Sequence, residues 1–211
     1  MSSSFNKIYE DSLKNPEEFW KKISEDVFWF KKPTKILNKD NPPFYKWYSD
    51  GVTNTCYNAL DVHIDQGRGN KTALIYDSPI TGNKKQFSYN ELRSKVSKFA
   101  GALKSQGINK GDRIIIYMPM IPEAVVAMLA CGRIGAIHSV VFGGFASNEL
   151  ASRIDDSKAK LLVTASCGFE PGRTVEYKPL VDEALNLASH KPDKMILFQR
   201  KGHEVKLNAP M

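Results

Sequence analysis

Two glycine-containing segments hold the residues of this chain that are best suited to bind a ligand. The first is Gly143-Gly144, which follows an apolar run, and the second ends in Gly172-Arg173. Glycines let a ligand approach the bare backbone, and an arginine guanidinium is a charged planar fork that matches phosphate oxygens. These residue types indicate a site for a phosphate-bearing ligand.

The helix predicted to begin near Ser147 adds to the first segment. Its amino-terminal end would direct the positive end of the helix dipole toward the same site. Two alternatives stay open from these residues alone. Gly143 and Gly144 could simply turn the chain from strand to helix, and Arg173 could be an ordinary surface arginine.

The histidines and cysteines do not suggest a nucleophile or a metal site. His138 lies inside an apolar strand, where a core or strand-end histidine is more common than a catalytic base. Cys131 and Cys167 have no visible activating partner, and no His or Cys pair has metal-ligand spacing. Together with Cys56, the chain has three cysteines, and they show no paired spacing. We therefore predict that the thiols are reduced and form no disulfide.

The elements around the glycine segments alternate between strand and helix patterns. Strands are predicted at 113–118, 136–142, 161–165 and 195–198, and helices at 122–133, from Ser147 onward and over 180–188. This order predicts an α/β fold with a parallel βαβ sheet covered by helices. We expect the strands at 136–142 and 161–165 to be neighbours, with both glycine segments at their shared carboxyl edge.

The front of the chain has a different pattern. A helix start with a cap is predicted at 15–18, followed by a proline-interrupted, aromatic-rich loop. A hairpin is predicted from strands 72–76 and 84–88, and then a helix that begins at a capping box, Ser88 to Glu91, and ends at Gly107. The sequence therefore predicts a mainly helical and loop extension over residues 1–65, and an α/β domain over 66–211.

Composition narrows the classes of partner. The 30 Lys and Arg residues are interleaved with 23 Asp and Glu, so the net charge of +7 favours a solvated basic face and small acidic ligands over nucleic acid. No apolar run approaches the roughly 20 residues of a membrane span. No export signal is recognisable, so we expect no membrane partner and a cytoplasmic location.

The segment GRIGAIHSVVFGGFASNELASRIDDSKAKLLVT strongly resembles the short-chain acyl-CoA synthetases, the acetyl- and propionyl-CoA ligases of the adenylate-forming superfamily. The similarity extends through NPEEFWKKISEDVFWFKKP, KTALIYDS and VEYKPLVDEAL, and so covers nearly all of the chain. The resemblance implies an incomplete AMP-binding large domain over 66–211. Residues 1–65 would be the amino-terminal extension of acetyl-CoA synthetase type.

In that family a carboxylate attacks the α-phosphate of ATP, and the acyl-adenylate is then captured by the thiol of coenzyme A. The resemblance thus implies ATP and coenzyme A as substrates, with Mg²⁺ accompanying ATP, and small molecules as partners. The family's phosphate loop, later ATP contacts and carboxyl-terminal lysine would lie beyond Met211. We therefore assign no catalytic residue to this stretch and expect it to be inactive alone.

The resemblance also implies a coenzyme A site. The loop Glu170-Pro171-Gly172-Arg173 matches the family's coenzyme contact, with Arg173 at an arginine that meets the nucleotide phosphate, and Phe142-Gly143-Gly144 matches the neighbouring wall. Acetyl-CoA synthetases often carry a basic residue where this chain has Glu170, and an acid there would repel phosphate. The segment CGFEPGRTVEYKPLVDEAL is more similar to the propionyl type.

Two functions follow as hypotheses. In the first, this is the amino-terminal part of a short-chain acyl-CoA ligase that favours propionate over acetate. That ligase would be located in the cytoplasm or in the mitochondrial matrix. In the second, it is a non-catalytic module that binds coenzyme A or pairs with a synthetase. The oligomeric state is not indicated by the sequence.

Overall fold

The structure is a computed structural model that describes residues 4–206. The chain divides into two compact units, with the boundary in the sequence between Val62 and His63.

The first unit is built from short elements and aromatic contacts. Its elements are α1 (Ser4–Lys14), α2 (Pro16–Ile23), a 3₁₀ turn (Ser24–Asp26), β1 (Leu37–Asn38), β2 (Lys46–Trp47) and a π-helical turn (Tyr57–Asp61). The helix predicted near residue 15 is present as α2, but the Asn15 side chain makes no capping hydrogen bond. Proline at the start of α2, and the acids that follow it, are sufficient to set the start.

Aromatic pairs hold the proline-interrupted loop of this unit together. The ring centroids of Trp20 and Trp47 are 6.0 Å apart, and those of Phe28 and Tyr57 are 4.8 Å apart. Such pairs stabilise beyond the apolar area they bury. These aromatic side chains therefore pack against one another within residues 4–62.

The second unit has the α/β pattern. Its elements are a π-helical turn (Ile64–Arg68), β3 (Thr72–Ser78), β4 (Asn83–Ser88), α3 (Tyr89–Ser105), β5 (Arg113–Met118), α4 (Pro122–Ile134), β6 (Ile137–Phe142), α5 (Ser147–Ser157), β7 (Leu161–Ala165), β8 (Cys167–Glu170), β9 (Arg173–Glu176), α6 (Tyr177–Leu187) and β10 (Lys194–Phe198).

The predicted hairpin and capping box are both present. β3 and β4 pair antiparallel from Thr72 opposite Ser88 to Ser78 opposite Asn83. At the start of α3, the Ser88 hydroxyl accepts from the Glu91 backbone N–H at 3.2 Å, and the Glu91 carboxylate accepts from the Ser88 N–H at 2.8 Å. These reciprocal bonds satisfy donors that the first helical turn leaves unpaired.

The main sheet is parallel, as predicted, in the order β10-β7-β5-β6. The expectation that β6 and β7 are neighbours is wrong, because β5 lies between them. β5 has the most continuous apolar run, and the side chains Ile114 to Tyr117 are fully buried. Such a strand takes an interior position, where both of its faces and both of its edges are covered.

β6 is an edge strand, and its apolar side chains other than the buried Val141 are largely exposed. Ile137 is 55% exposed, Val140 50% and Phe142 66%. His138 also lies on this exposed strand rather than in the core. The prediction that helices cover the sheet therefore holds at β5 and β7 but fails at β6 within residues 4–206.

Candidate functional site

A cleft of about 480 Å³ opens at the carboxyl end of the sheet in the second unit. It is lined by residues 76–81, 118–121, 140–144 and 168–170, together with Tyr177 and Arg200. These segments are the tip of the β3–β4 hairpin, the ends of β5 and β6, and β8. Open α/β sheets bind ligands at this edge, so the cleft is the candidate site.

The structure brings four of the seven predicted site residues to this cleft. Phe142, Gly143 and Gly144 line one wall, and Glu170 lines another. The remaining three, Pro171-Gly172-Arg173, are not among its lining residues. The two glycine segments thus meet at one cleft even though β5 separates their strands.

The predicted glycine-arginine loop is in fact a β-hairpin. β8 and β9 pair antiparallel, with Cys167 opposite Glu176 and Glu170 opposite Arg173, so Pro171-Gly172 form a two-residue turn. Gly172 has φ of +74°, a left-handed conformation that glycine adopts without strain. A hairpin holds Glu170 and Arg173 side by side more firmly than a loop would.

Glu170 and Arg173 form an ion pair. The Arg173 Nη2 and Nε atoms lie 2.6 and 2.7 Å from one carboxylate oxygen of Glu170. The Arg173 side chain is 71% exposed, so the pair contributes little to stability. An anion that approached Arg173 would have to compete with Glu170 for the same guanidinium.

Gly143 and Gly144 are explained by close packing and not by an unusual backbone conformation. Neither has a positive φ. A Cβ added at Gly143 would overlap the phenol oxygen of Tyr177, and one added at Gly144 would lie 2.9 Å from the Phe142 ring. Gly168 has the same relation to Tyr177, with a distance of 3.0 Å from an added Cβ to the phenol oxygen. Tyr177 therefore lies against two walls of the cleft.

The helix expected to face the site is α5, which begins at Ser147 as predicted. The Ser147 hydroxyl donates to the Glu183 carboxylate at 2.7 Å, and no residue of α5 lines the cleft. Phe145 and Ala146 separate the helix from Gly144. The first turn of α5 thus packs against α6.

Sequence reasoning nominated only four of the lining residues, and Tyr177 and Arg200 are among those that it missed. Tyr177 begins α6, is 4% exposed, and packs its ring 4.9 Å from that of Tyr117. Burial raises the pKa of its phenol to about 12. Arg200 lies just after β10, and its guanidinium stands 4.6 Å from the centroid of the Phe169 ring. The position of Arg200 beyond the carboxyl end of a parallel strand is a signal that could have found it.

The cysteines are buried thiols that form no disulfide, as predicted. Burial raises the pKa of Cys131 to about 12 and also raises that of Cys167, which disfavours the nucleophilic thiolate. Within residues 4–206, no cluster of three or more His, Cys, Asp or Glu side chains is placed to hold a metal ion. No helix in this part of the chain is both long and apolar enough to cross a membrane.

The chain is similar to several curated synthetases. It is 52% identical over 208 residues to Acyl-CoA synthetase short-chain family member 3, mitochondrial, of Homo sapiens, covering 99% of this chain and 30% of that protein. It is 43% identical over 197 residues to Propionate--CoA ligase of Escherichia coli, covering 93% and 31%. It is 42% identical over 212 residues to Acetyl-coenzyme A synthetase of Shewanella frigidimarina, covering 97% and 32%. The chain thus spans about a third of the length of these relatives.

Two family models match consecutive parts of the chain. The model of the acetyl-coenzyme A synthetase N-terminus matches residues 5–59, and that of the AMP-binding enzyme matches residues 61–209. The second match includes the whole parallel sheet and every residue that lines the cleft. On this evidence the chain belongs to the AMP-binding enzyme family, and its relatives are short-chain acyl-CoA synthetases.

Proposed function

We propose that this chain is the amino-terminal part of an ATP-dependent short-chain acyl-CoA ligase. The reaction converts a carboxylate, ATP and coenzyme A into acyl-CoA, AMP and pyrophosphate. The observation that carries this proposal is the similarity over 99% of the chain to a synthetase of which it spans 30%. In this proposal residues 1–65 are the amino-terminal extension, and residues 66–211 are the first part of the AMP-binding domain.

The cleft is proposed to contribute contacts to coenzyme A. Phe142-Gly143-Gly144 would form an apolar, closely packed wall, and Glu170 with Arg173 would form the opposite rim. The Arg173 guanidinium would bind a phosphate of the coenzyme, with Pro171-Gly172 setting its position through the hairpin turn. Glu170 would then act as the group that a phosphate displaces.

This role is tested with Arg173→Ala in a ligase that carries the downstream sequence. The KM for coenzyme A should rise, while ATP–pyrophosphate exchange, which reports adenylation alone, should stay near the parent value. Glu170→Gln should lower that KM, because it releases the guanidinium. Arg153→Ala is a matched control, since Arg153 pairs with Glu149 on α5, away from the cleft. Equal losses in both half-reactions would give Arg173 a structural role.

Residues 1–211 alone are proposed to be inactive. The chain spans 30% of the synthetase to which it is similar, and none of its residues is assigned a catalytic role. ATP–pyrophosphate exchange with propionate should therefore be undetectable for the 211-residue chain and should return when downstream synthetase sequence is joined to it. Propionate-dependent exchange by the 211 residues alone would refute this part of the proposal.

Propionate is proposed as the favoured acyl substrate over acetate. The support is the segment from Cys167 to Leu185, which is more similar to the propionyl type. Overall identity does not separate the two, at 43% to a propionate--CoA ligase and 42% to an acetyl-coenzyme A synthetase. Competition between the two carboxylates in the longer ligase, compared as kcat/KM, decides the preference.

The cellular site is proposed to be the cytoplasm or the mitochondrial matrix. The buried reduced thiols fit either compartment, and the relative from Homo sapiens is named as mitochondrial. Imaging of the tagged protein beside a matrix marker distinguishes the two.

A second candidate function is a non-catalytic module that pairs with a synthetase. The observation that favours it is the uncovered β6 edge, where Ile137, Val140 and Phe142 are half exposed or more. An apolar strand with an open edge is a ready site for pairing with another strand. Sedimentation of the 211-residue chain with a full-length relative tests this: a stable complex supports the module, and independent sedimentation excludes it.

A further inference from the structure

The cleft is lined by a hydroxyl group that has no hydrogen-bond partner in the described part of the chain and belongs to a buried side chain. Tyr177 is 4% exposed, and its phenol oxygen lies against Gly143 and Gly168, which both line the cleft. No hydrogen bond joins this oxygen to any residue of the range 4–206. The neighbouring Tyr117 differs, since its hydroxyl donates to the Phe145 carbonyl at 2.8 Å. A phenol hydroxyl that is held by its packed ring at a cleft wall, with no protein partner, keeps its donor and acceptor capacity for a ligand.

The same cleft contains a cation whose charge is not offset by a carboxylate. The Arg200 guanidinium lies over the Phe169 ring at 4.6 Å and forms no ion pair with the described part of the chain. Stacking on a ring uses the face of the guanidinium and leaves its in-plane N–H groups available for hydrogen bonds. Arg200 is thus held in place with its donors unused.

The two acids that line the cleft, Asp77 and Glu170, are each paired with another cation. The Asp77 carboxylate lies 2.9 Å from Lys84 Nζ. One oxygen of Glu170 accepts a hydrogen bond from Arg173 Nε and lies 2.6 Å from its Nη2. Because each of these pairs is neutral as a unit, the charge of Arg200 in the cleft has no carboxylate of residues 4–206 paired with it. Burial raises the pKa of Tyr177 to about 12, so its phenol keeps its proton at neutral pH and can donate.

We propose that Tyr177 and Arg200 form an anion subsite in the cleft, which takes a phosphate oxygen of the bound coenzyme. The assignment rests on the proposed function, in which this cleft binds coenzyme A. Arg200 supplies the charge and in-plane donors, and Tyr177 supplies a hydroxyl donor fixed by its packing. Arg173 then lies at the rim, whereas Arg200 is the cation within the cleft.

The test is calorimetric titration of the 211-residue chain with coenzyme A, for the parent chain and four variants. Tyr177→Phe removes only the unpaired hydroxyl, and Arg200→Gln removes the charge. Their matched controls are Tyr117→Phe and Lys201→Gln, which remove a hydroxyl and a charge at positions that are not themselves among the lining residues. Each cleft variant should raise the Kd for coenzyme A about tenfold or more. The reason is that loss of a hydrogen bond to a charged group weakens binding by about that factor. The controls should stay within about twofold.

Two further ligands identify the phosphate. Dephospho-coenzyme A keeps the diphosphate but lacks the 3′-phosphate, and pantetheine lacks both. If the diphosphate occupies the subsite, the variants lose the same factor with dephospho-coenzyme A. If the 3′-phosphate occupies it, the difference between parent and variant disappears with that ligand. Pantetheine should bind parent and variants alike, and a variant effect on pantetheine would overturn the anion assignment.

The outcomes separate this subsite from the proposed coenzyme site. Tight binding that is unchanged by Tyr177→Phe and Arg200→Gln would refute the subsite and leave the coenzyme site standing. If coenzyme A does not bind, pyrophosphate is titrated while the Arg200 Nε–H resonance is followed by NMR. A saturable shift that Tyr177→Phe weakens would support the subsite and refute the coenzyme assignment. Absence of binding by either ligand refutes both. Arg200→Lys, which keeps the charge, provides a second variant should Arg200→Gln fail to fold.

Discussion

The contact between Gly143 and Tyr177 leads to a sharp prediction about stability. A methyl group at Gly143 would overlap the phenol oxygen of Tyr177, a side chain only 4% exposed and therefore unable to move aside into solvent. Overpacking of this kind costs about 1–3 kcal/mol. We therefore expect Gly143→Ala to lower the free energy of unfolding of the second unit by that amount.

The double variant Gly143→Ala/Tyr177→Phe tests whether the phenol oxygen of Tyr177 causes this loss of stability. In a Tyr177→Phe background the added Cβ meets the ring carbon that bore the hydroxyl at 3.0 Å and the Met118 carbonyl oxygen at 3.2 Å. These contacts are tight, but shifts of a few tenths of an ångström relieve them. Part of the loss should therefore be recovered, with a coupling free energy of about 1 kcal/mol or more. Tyr177→Phe alone should not lower stability, because the hydroxyl has no hydrogen bond to lose.

The measurement is urea unfolding monitored by circular dichroism, with thermal unfolding as a second readout. For a domain of about 150–250 residues, each kcal/mol shifts Tm by about 2–4 °C. Gly101→Ala is the matched control, since Gly101 lies within α3 with no atom within 4 Å of an added Cβ. That substitution should raise stability by roughly 0.5–1 kcal/mol. Should Gly143→Ala cost the same in both backgrounds, the phenol is not what the methyl group meets, and the packing account of Gly143 is wrong.

Three further predictions concern other contacts. Tyr117→Phe removes a 2.8 Å hydrogen bond to a backbone carbonyl and should cost about 1 kcal/mol in urea unfolding, whereas Tyr177→Phe should not. Ser88→Ala removes one half of the capping box of α3 and should lower the free energy of unfolding by about 1 kcal/mol. Ser88→Thr keeps a hydroxyl that can cap the helix and should retain most of that stability. Equal losses of stability in the two variants would contradict the capping role of Ser88. The Asn109 N–H and Lys160 hold the pKa of Asp112 below its usual value, so its stabilisation is present above about pH 4 and lost as pH falls through the lowered folded pKa. Asp112→Asn should flatten that acid limb, and an unchanged pH profile would contradict it.

Much of the second unit could be predicted from local patterns. The apolar run RIIIYM, the capping box at Ser88 and the almost entirely apolar stretch from Pro122 place β5, α3 and α4 within a residue or two of their observed bounds. These signals are local, because hydrogen-bonding periodicity and capping depend on neighbours in sequence. The α/β class followed from the same patterns.

The candidate site was only partly predictable. The turn after β6 and the segment ending at Arg173 were identified from glycine and arginine content, but the Glu170–Arg173 ion pair depends on the hairpin register. Tyr177 and Arg200 were missed because their part in the cleft depends on α6 and β10 packing beside β7. No short motif marks Tyr177, and the available signal for Arg200 was its position beyond the carboxyl end of a predicted parallel strand.

The sequence by itself determined the class of fold, the positions of most strands and helices in the second unit, and the resemblance to acyl-CoA synthetases. Only the tertiary structure decided that β5 separates β6 from β7, that Gly143 and Gly168 accommodate the Tyr177 phenol, and that the β6 edge stays uncovered within residues 4–206. The physical reason is the separation in sequence between the interacting residues. Helices and strands are specified by residues a few positions apart, whereas strand order and side-chain packing join residues that are tens of positions apart.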